Sequence, residues 1–231
     1  MMNQPARTVS EAVTSRRSIR AFTDKPVEPA LVRRLVDDAR WAPSGGNVQP
    51  WHITVLAGAP LEQLKQIMRV KPQEGFVNSP EGSGYDIYPR DLSEPYKTRR
   101  ARCGEMMYAT MNIPRGERAA RLNFVAGNFV FWNAPVGMFF SMGRQMGPPQ
   151  WSDLGMYIQT LMLLAREAGL HTCPQEAWTN WHRTVSEFIA LPADRMLFCG
   201  LALGYADESH PVNQLRTERA PLEEIAEFRG L

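Results

Sequence analysis

The segment from Trp151 to Gly169 is the clearest helical pattern in the chain, and it limits which folds are possible. Apolar residues recur there at the spacing of one helix face, namely Leu154, Ile158, Leu161, Met162 and Ala165. We expect Ser152 or Asp153 to cap its beginning and Gly169 to end it. A helix with such an apolar face must pack against a sheet or other helices. The pattern therefore predicts the central helix of the hydrophobic core.

Short apolar runs on both sides of this helix predict buried strands. They lie at 51–56, 136–140, 170–173 and 196–205. Helical patterns alternate with them unevenly, which favours an α+β fold in which helices surround one sheet. One helix is expected to begin at Pro29, and others lie at 60–69, 96–111 and 115–132. The length of 231 residues suits a single domain, residues 1–231, with a lid-like insertion at about 71–121.

The charge balance and the cysteines argue against several classes of protein. The 26 Lys and Arg residues nearly match the 24 Asp and Glu residues, so no global field predicts a nucleic-acid partner. Cys103, Cys173 and Cys199 lack CxxC spacing, which argues against a disulfide framework and a zinc site. The uncharged stretch 122–143 is interrupted by Pro135 and three asparagines, so it predicts a buried helix and strand rather than a membrane span. We expect a cytoplasmic protein.

The sequence APSGGNVQPW at 42–51 joins a helical pattern to a strand-like one. Two prolines and two adjacent glycines make a loop whose backbone can approach a ligand closely. The stretch therefore predicts a binding loop, and a plain connecting loop with tight-turn glycines explains it equally well.

The sequence SRRSIRAF at 15–22 follows a short helix that a capping box opens at residues 8–11. Arg16, Arg17 and Arg20 surround a serine, and each offers a planar fork of donors suited to phosphate. The run indicates anion binding, with a solvated charged turn as the alternative.

The region between residues 71 and 100 concentrates proline, glycine and tyrosine. A loop of this length inside a compact domain is usually functional or disordered. Its aromatic residues favour a mobile lid, while a floppy surface excursion is the alternative.

No standard catalytic constellation is present in the sequence. The four histidines have no metal-ligand spacing, and there is no HExxH, GxSxG or P-loop. No GxGxxG follows a strand, which argues against a Rossmann dinucleotide site. The remaining features indicate only an anion or cofactor site, and they predict no metal ligands.

Taken together, the motifs resemble the nitroreductase superfamily of FMN enzymes. They are, in chain order, SRRSIRAF at 15–22, APSGGNVQPW at 42–51, the core helix, CPQEA at 173–177, the glycines 200–204 and RAPL at 219–222. The resemblance spans about residues 8–228, apart from 71–121. It implies a central mixed β-sheet flanked by helices, an intertwined homodimer and FMN bound at the dimer interface.

The resemblance also implies which residues bind FMN. Arg16, Arg17 and Ser18 match the motif that holds the phosphate, and Arg219 matches a C-terminal phosphate ligand for which Arg216 is a weaker candidate. Arg20 matches a residue near the flavin pyrimidine edge. Two further groups match positions around the ring: the loop residues Ser44, Gly45, Asn47 and Gln49 of the opposite subunit, and the turn Pro174, Gln175 and Glu176, whose backbone N–H faces flavin N5.

The implied activity is reduction of nitroaromatic or related flat aromatic and quinone acceptors by NADH or NADPH, in two-electron steps of a ping-pong mechanism. Because the flavin carries the chemistry, no catalytic side chain is expected. Substrate is expected to meet the lid, where the candidates are Tyr85, Tyr88, Tyr96 and Arg121, with Arg99 and Arg100 nearby. Two alternatives stay open: a reductive dehalogenase of halogenated phenols, and a flavin-binding protein without turnover.

Overall fold

A four-stranded sheet forms the centre of the protein in the computed structural model, which describes residues 2–71 and 79–230. Residues 72–78 of the predicted lid lie outside the described residues. The strands are β1 (His52–Ala57), β2 (Val136–Gly143), β3 (His171–Gln175) and β4 (Arg195–Gly204), in the order β1-β2-β4-β3. Helices cover the sheet, so the fold is α+β as predicted.

The sheet is antiparallel in each of its ladders between these strands, and this differs from the mixed sheet that the sequence predicts. Strands β2 and β3 do run in the same direction, but β4 lies between them and pairs antiparallel with both. Within the described residues, a parallel pairing is found only at the isolated bridge between Ser18 and Thr172.

The helices along the chain lie close to the predicted positions. They are α1 (Val9–Ser15), α2 (Pro29–Ala39), α3 (Gly58–Arg69), α4 (Tyr96–Thr110), α5 (Arg118–Ala126), α6 (Pro148–Glu167), α7 (His182–Phe188) and α8 (Leu222–Ile225). The predicted cap of α1 is confirmed, since the Thr8 hydroxyl accepts a hydrogen bond from the Glu11 backbone N–H at 3.1 Å. The predicted start of α2 at Pro29 is confirmed as well.

Helix α6 is the predicted core helix, but it begins three residues earlier than expected. Gly147 is its N-cap, and Pro148 and Pro149 occupy its first turn, where a missing N–H costs no hydrogen bond. The prediction that Ser152 or Asp153 caps the helix is therefore wrong, because both lie inside it. Leu154 and Leu161 of its apolar face are fully buried.

Two hydrophobic clusters sandwich the sheet. Successive residues of a strand point to opposite faces, so Met138 and Phe140 of β2 join the cluster under α2 and α6, while Phe139 joins the other. The second cluster is strongly aromatic and is centred on Trp178, which packs over Gly200 where any Cβ would overlap the indole. Burying each large apolar side chain contributes roughly 1.5–3 kcal/mol.

Helix α4 packs differently from the other long helices. None of its 15 residues is buried, and its described contacts are made with the C-terminal segment through Arg99 and Arg102 and with α5 through Glu105 and Tyr108. A single helix of this length is only marginally stable in water without a covering surface. Its outer surface is therefore suited to burial against something other than its own chain.

Candidate functional site

The basic run lies along the open edge of strand β3. Ser18 forms a bridge with Thr172, and the Ile19 backbone N–H donates to the Thr172 carbonyl at 3.0 Å. Strand β3 is the last strand of the sheet, so this pairing occupies only part of its free edge. The arginines on either side of Ser18 are thereby fixed next to the beginning of β3.

A cavity of about 530 Å³ opens at this position, here called the arginine cavity. Its lining brings together six of the residues predicted to bind a cofactor: Arg16, Arg17, Ser18, Arg20, Arg216 and Arg219. Cys103 and Met107 of α4 form part of its wall. Five arginines line the cavity and no acidic residue does, so it is strongly cationic.

Four of the five arginines of this cavity donate to uncharged oxygens. Arg17 Nη1 donates to the Asn213 carbonyl at 2.8 Å, and Arg20 Nη1 to the Ser18 carbonyl at 3.3 Å. Arg216 Nη1 donates to the Thr14 carbonyl at 2.9 Å. Arg219 Nη1 donates to the Thr217 hydroxyl at 2.7 Å. These bonds hold the side chains in place without cancelling their charge.

The cationic surroundings also affect protonation. Burial lowers the pKa of Arg16, and the nearby charge of Arg219 lowers it further. Burial lowers the pKa of Arg17 too, followed by the charge of Arg216. A dianionic phosphate relieves this repulsion through charge-assisted hydrogen bonds, so the residues present fit the phosphate group of FMN.

At the turn that ends β3, the Gln175 side chain is not available to a ligand, because it is already bound inside the protein. Gln175 is 2% exposed, and its Nε2 donates to the Asn128 carbonyl at 2.8 Å. Trp178 Nε1 donates to its Oε1 at 3.4 Å, so both ends of the amide are used inside the protein. Glu176 is exposed at its surface side, and partial burial of its carboxyl raises its pKa.

The predicted binding loop is exposed and sharply turned. Gly46, Asn47 and Gln49 have positive φ angles, a conformation that non-glycine residues rarely adopt. The Ser44 hydroxyl accepts from the Gln49 N–H at 3.0 Å, which closes the turn. Sequence reasoning missed its main anchor, the buried Asp153, whose carboxylate accepts from the Gly45 N–H at 3.2 Å.

The loop and the arginine cavity lie at opposite ends of α6. Asp153 holds the loop near the beginning of the helix, while Arg166, near its end, donates from Nε to the Ser15 hydroxyl beside the basic run. The rise of an α-helix places these two residues roughly 20 Å apart. Within one chain, the loop and the cavity therefore do not form one site.

The predicted substrate residues are spread over the lid region. Tyr85 docks on the sheet: its hydroxyl donates to the Phe198 carbonyl at 2.6 Å, and its ring stacks on that phenylalanine. Tyr88 is exposed with the Arg100 guanidinium over its ring at 4.0 Å, and Tyr96 is exposed on α4. Arg121 is held by a bidentate pair with Glu105 at 2.8 Å.

The first part of the lid is anchored, which argues against a floppy excursion at this point. The Glu81 carboxylate accepts from the backbone N–H groups of Arg183 and Thr184, in the first turn of α7. The Gly84 N–H donates to the Thr179 hydroxyl at 3.0 Å. Together with Tyr85, these contacts fasten residues 81–85 to the body of the domain.

Across 2–71 and 79–230, no helix is both long and apolar enough to cross a bilayer. The same residues contain no group of three His, Cys, Asp or Glu side chains placed to hold a metal ion.

Comparison with known proteins agrees with this geometry. The model of the Nitroreductase family matches residues 13–205. A 4-nitrobenzoate reductase from Pseudomonas putida is 36% identical over 94% of this chain and 94% of its own length. A nitrobenzene nitroreductase from Ectopseudomonas oleovorans is 33% identical over 95% of this chain and 96% of its own.

Solved structures give the same result. The crystal structure of an FMN- and NADPH-dependent nitroreductase, NfnB from Sphigopyxis sp. strain HMH, superimposes with a TM-score of 0.92 at 42% identity. The match covers 97% of this chain and all of that one.

Proposed function

The chain belongs to the nitroreductase family and is a nitroreductase, and from this premise we propose that it reduces nitroaromatic compounds with bound FMN and NADPH or NADH as the electron donor. The observation that carries the assignment to this chain's own residues is the arginine cavity, with five arginines and no acidic residue. Relatives that act on nitrobenzoate and nitrobenzene suggest the acceptor class.

We assign the FMN phosphate to Arg16 and Arg219, with the Ser18 hydroxyl beside them. Arg20 lies in the same cavity and places a cation where the reduced flavin ring carries negative charge. FMN, when bound, supplies the two-electron hydride chemistry, and the protein supplies orientation and electrostatics. The amide N and O atoms of Gln175 are engaged inside the protein, so we assign contact with the flavin ring to the backbone of residues 174–176 rather than to this side chain.

We propose that the active form is a homodimer. Apolar side chains are exposed on α1 and on the C-terminal segment: Val9, Val13, Leu222, Ile225 and Phe228. Helix α4 likewise has no residue that is buried within its own chain. A symmetric interface that buries these surfaces also brings the loop anchored by Asp153 to the arginine cavity of the other subunit.

We propose that residues 1–231 form one domain and that the insertion at about 71–121 covers the acceptor. Tyr88 and Tyr96 are the lid tyrosines with exposed rings, so they are the better candidates for stacking on a flat substrate. Tyr85 and Glu81 are used to anchor the lid. A reductive dehalogenase of this superfamily is expected to use an acidic lid residue to hold an amino-acid substrate. Because Glu81 is engaged in anchoring the lid, it does not fit that role.

The proposed function is tested with purified FMN-loaded protein under anaerobic conditions. We expect NADPH or NADH to bleach the visible flavin absorption, and 4-nitrobenzoate or nitrobenzene to restore it. A halotyrosine is the matched alternative acceptor. A flavin that stays oxidised with both donors excludes the oxidoreductase. Reoxidation by halotyrosine, with little by the nitroaromatics, excludes the proposed acceptor class in favour of dehalogenation.

A further inference from the structure

Arg100 of α4 differs from its neighbours on the same helix in having no carboxylate partner. Arg99 and Arg102 both form ion pairs with glutamates of the C-terminal segment. The Arg100 guanidinium forms no ion pair or hydrogen bond with any other residue that the structure describes, and lies instead over the Tyr88 ring, with its Cζ 4.0 Å from the ring centroid. An aromatic ring holds a guanidinium by its face and leaves the N–H groups free. Arg100 therefore keeps both its charge and its hydrogen-bond donors.

Arg100 lies on the face of α4 that borders the arginine cavity. Cys103 and Met107, three and seven residues further along the helix, form part of the cavity wall. Residues at this spacing stand above one another on one side of a helix. The helix rise places Arg100 roughly 10 Å from Met107 along the axis. Since Arg100 is not itself part of the cavity wall, it lies outside the group of arginines assigned to the flavin phosphate.

The lid segment that carries Tyr88 is fixed beside the turn at the end of β3. The Tyr85 hydroxyl donates to the Phe198 carbonyl at 2.6 Å. In the ladder between β3 and β4, Gly200 lies opposite Gln175, so Phe198 lies just beyond the last residue of β3. Tyr88 follows three residues later and stays within about 10 Å of this anchor, the length of three extended residues. The Tyr88 ring is therefore held close to the turn that we assign to the flavin ring.

These two positions place the Arg100 guanidinium between the wall formed by α4 and the anchored part of the lid. A nitroaromatic acceptor must bring its nitro group to the flavin, so a substituent on the far side of its ring points away from the cofactor. A carboxyl group there is ionised near pH 7, because its pKa is about 4. The planar fork of a guanidinium binds a carboxylate through two parallel hydrogen bonds.

We propose that Arg100 binds the carboxylate of an acidic nitroaromatic acceptor, so that the protein prefers nitrobenzoates to neutral nitroarenes. This role of Arg100 rests on the proposed function, because the acceptor lies between the flavin and the lid. The Tyr88 ring positions the guanidinium. Arg99 and Arg121, the other arginines expected near the substrate, already pair with carboxylates and do not provide a free cation.

The kinetic test compares 4-nitrobenzoate with 4-nitrobenzamide, which has nearly the same shape and no charge. FMN-loaded protein is reduced photochemically under anaerobic conditions, which keeps the nicotinamide out of the measurement. Each acceptor is then mixed in by stopped flow, and flavin reoxidation is followed. We expect wild type to react faster with the acid, and Arg100→Gln to lower that rate constant about tenfold through the loss of a charge-assisted hydrogen bond. The rate constant for the amide should stay within about twofold of wild type.

Benzoate has no nitro group to reduce, so its binding gives a second readout without turnover. Calorimetric titration of benzoate into oxidised, FMN-loaded protein should show about tenfold weaker binding in Arg100→Gln than in wild type. Arg102→Gln is the matched control, since it removes an arginine of the same helix that already pairs with Glu218. It is expected to keep the wild-type values in both assays. FMN content and melting temperatures verify that each variant is loaded and folded.

Several results would overturn this role of Arg100. One is a preference for the acid that Arg100→Gln retains, or that Arg102→Gln loses to the same extent. Another is a wild-type protein that reacts equally fast with the acid and the amide. Release of FMN from Arg100→Gln would instead assign this arginine to the cofactor, which also overturns the role. By contrast, a reduced flavin that neither nitro compound reoxidises refutes the proposed function itself.

Discussion

The arginines of the arginine cavity and those of the outer helices α4 and α5 have opposite environments. On the outer helices, Arg102 pairs with Glu218 at 2.6 Å, Arg121 pairs with Glu105 at 2.8 Å, and Arg99 pairs with Glu224. In the cavity, Arg17 and Arg216 instead donate to backbone carbonyls. These residues of both regions are held by hydrogen bonds, but only the three outer arginines named here have their charge neutralised by a carboxylate.

This difference separates structural from binding arginines without reference to any relative. A carboxylate partner cancels the charge, and the pair then contributes little at an exposed position. A carbonyl partner fixes the direction of the guanidinium and leaves its charge available for a ligand. Charge that the chain does not compensate inside a cavity is therefore the better indicator of an anion site.

The largest effect is expected when the arginines assigned to the flavin phosphate, Arg16 and Arg219, are removed. We expect Arg16→Ala or Arg219→Ala to weaken FMN binding about 10- to 100-fold, because each loses a charge-assisted hydrogen bond worth roughly 1.5–3 kcal/mol. The double variant is expected to lose about a thousandfold or more. Fluorescence titration of FMN into apoprotein measures both.

Arg102→Ala is the matched control, since it removes an arginine of the same charge that already has a carboxylate partner. Its FMN affinity is expected to stay within about twofold of wild type. Equal losses in Arg16→Ala and Arg102→Ala would mean that net charge alone governs binding, and the distinction between the two regions would fail.

A smaller effect concerns the buried arginine next to the cavity. Arg166 is 4% exposed and has no carboxylate partner within the described residues, and together with burial its charge keeps the His171 pKa at about 4. The folded state favours the neutral form of His171. The contribution of this histidine to the free energy of unfolding is therefore complete above its unfolded pKa of about 6.5, and it is lost as the pH falls towards 4.

We expect His171 alone to lower the free energy of unfolding by about 2 kcal/mol between roughly pH 7.5 and pH 5. Urea unfolding of wild type and His171→Gln at the two pH values measures the part of this change that is due to His171, because the other titrating groups are common to both proteins. Identical pH dependence in the two proteins would show that the pKa of His171 in the folded state is not lowered from its unfolded value.

The smallest effect is expected for the pair between Arg121 and Glu105. Both Arg121→Ala and Glu105→Ala should leave the FMN dissociation constant within about twofold, because the two charges of the pair neutralise each other. The pKa of Glu105 is lowered by its hydrogen bond from Arg121, which agrees with a pair that needs no ligand. A large loss of FMN from Arg121→Ala would move this arginine into the binding group.

Local patterns predicted most of the fold because each element carries its own signal. The capping box before α1, the proline at the start of α2 and the apolar runs of β2 and β4 all lie where expected. The beginning of α6 was misplaced because prolines are read as helix breakers, although the first helical turn tolerates them. The antiparallel sheet was missed because strand order depends on tertiary packing.

The sequence predicted which residues gather at the site, but it did not predict the contacts that those residues make. Resemblance named the arginines that the cavity brings together, but not the contact of Arg100 with the Tyr88 ring. Asp153 gave the signal of a helix cap, and only the fold shows that it holds Gly45. The docking of Tyr85 on Phe198 joins residues more than a hundred positions apart, which no local pattern encodes.

The placement of the Gly45 loop and the arginine cavity at opposite ends of α6 has a genetic consequence in the proposed dimer. In that dimer, the Gly45 loop of each subunit contacts one flavin, and the arginine cavity of the same subunit binds the other flavin. A subunit that carries Asp153→Ala therefore damages its partner's site, and a subunit that carries Arg16→Ala damages its own. Mixing the two inactive variants creates heterodimers with one site doubly damaged and one intact. Activity should thus return by complementation, without any wild-type chain present.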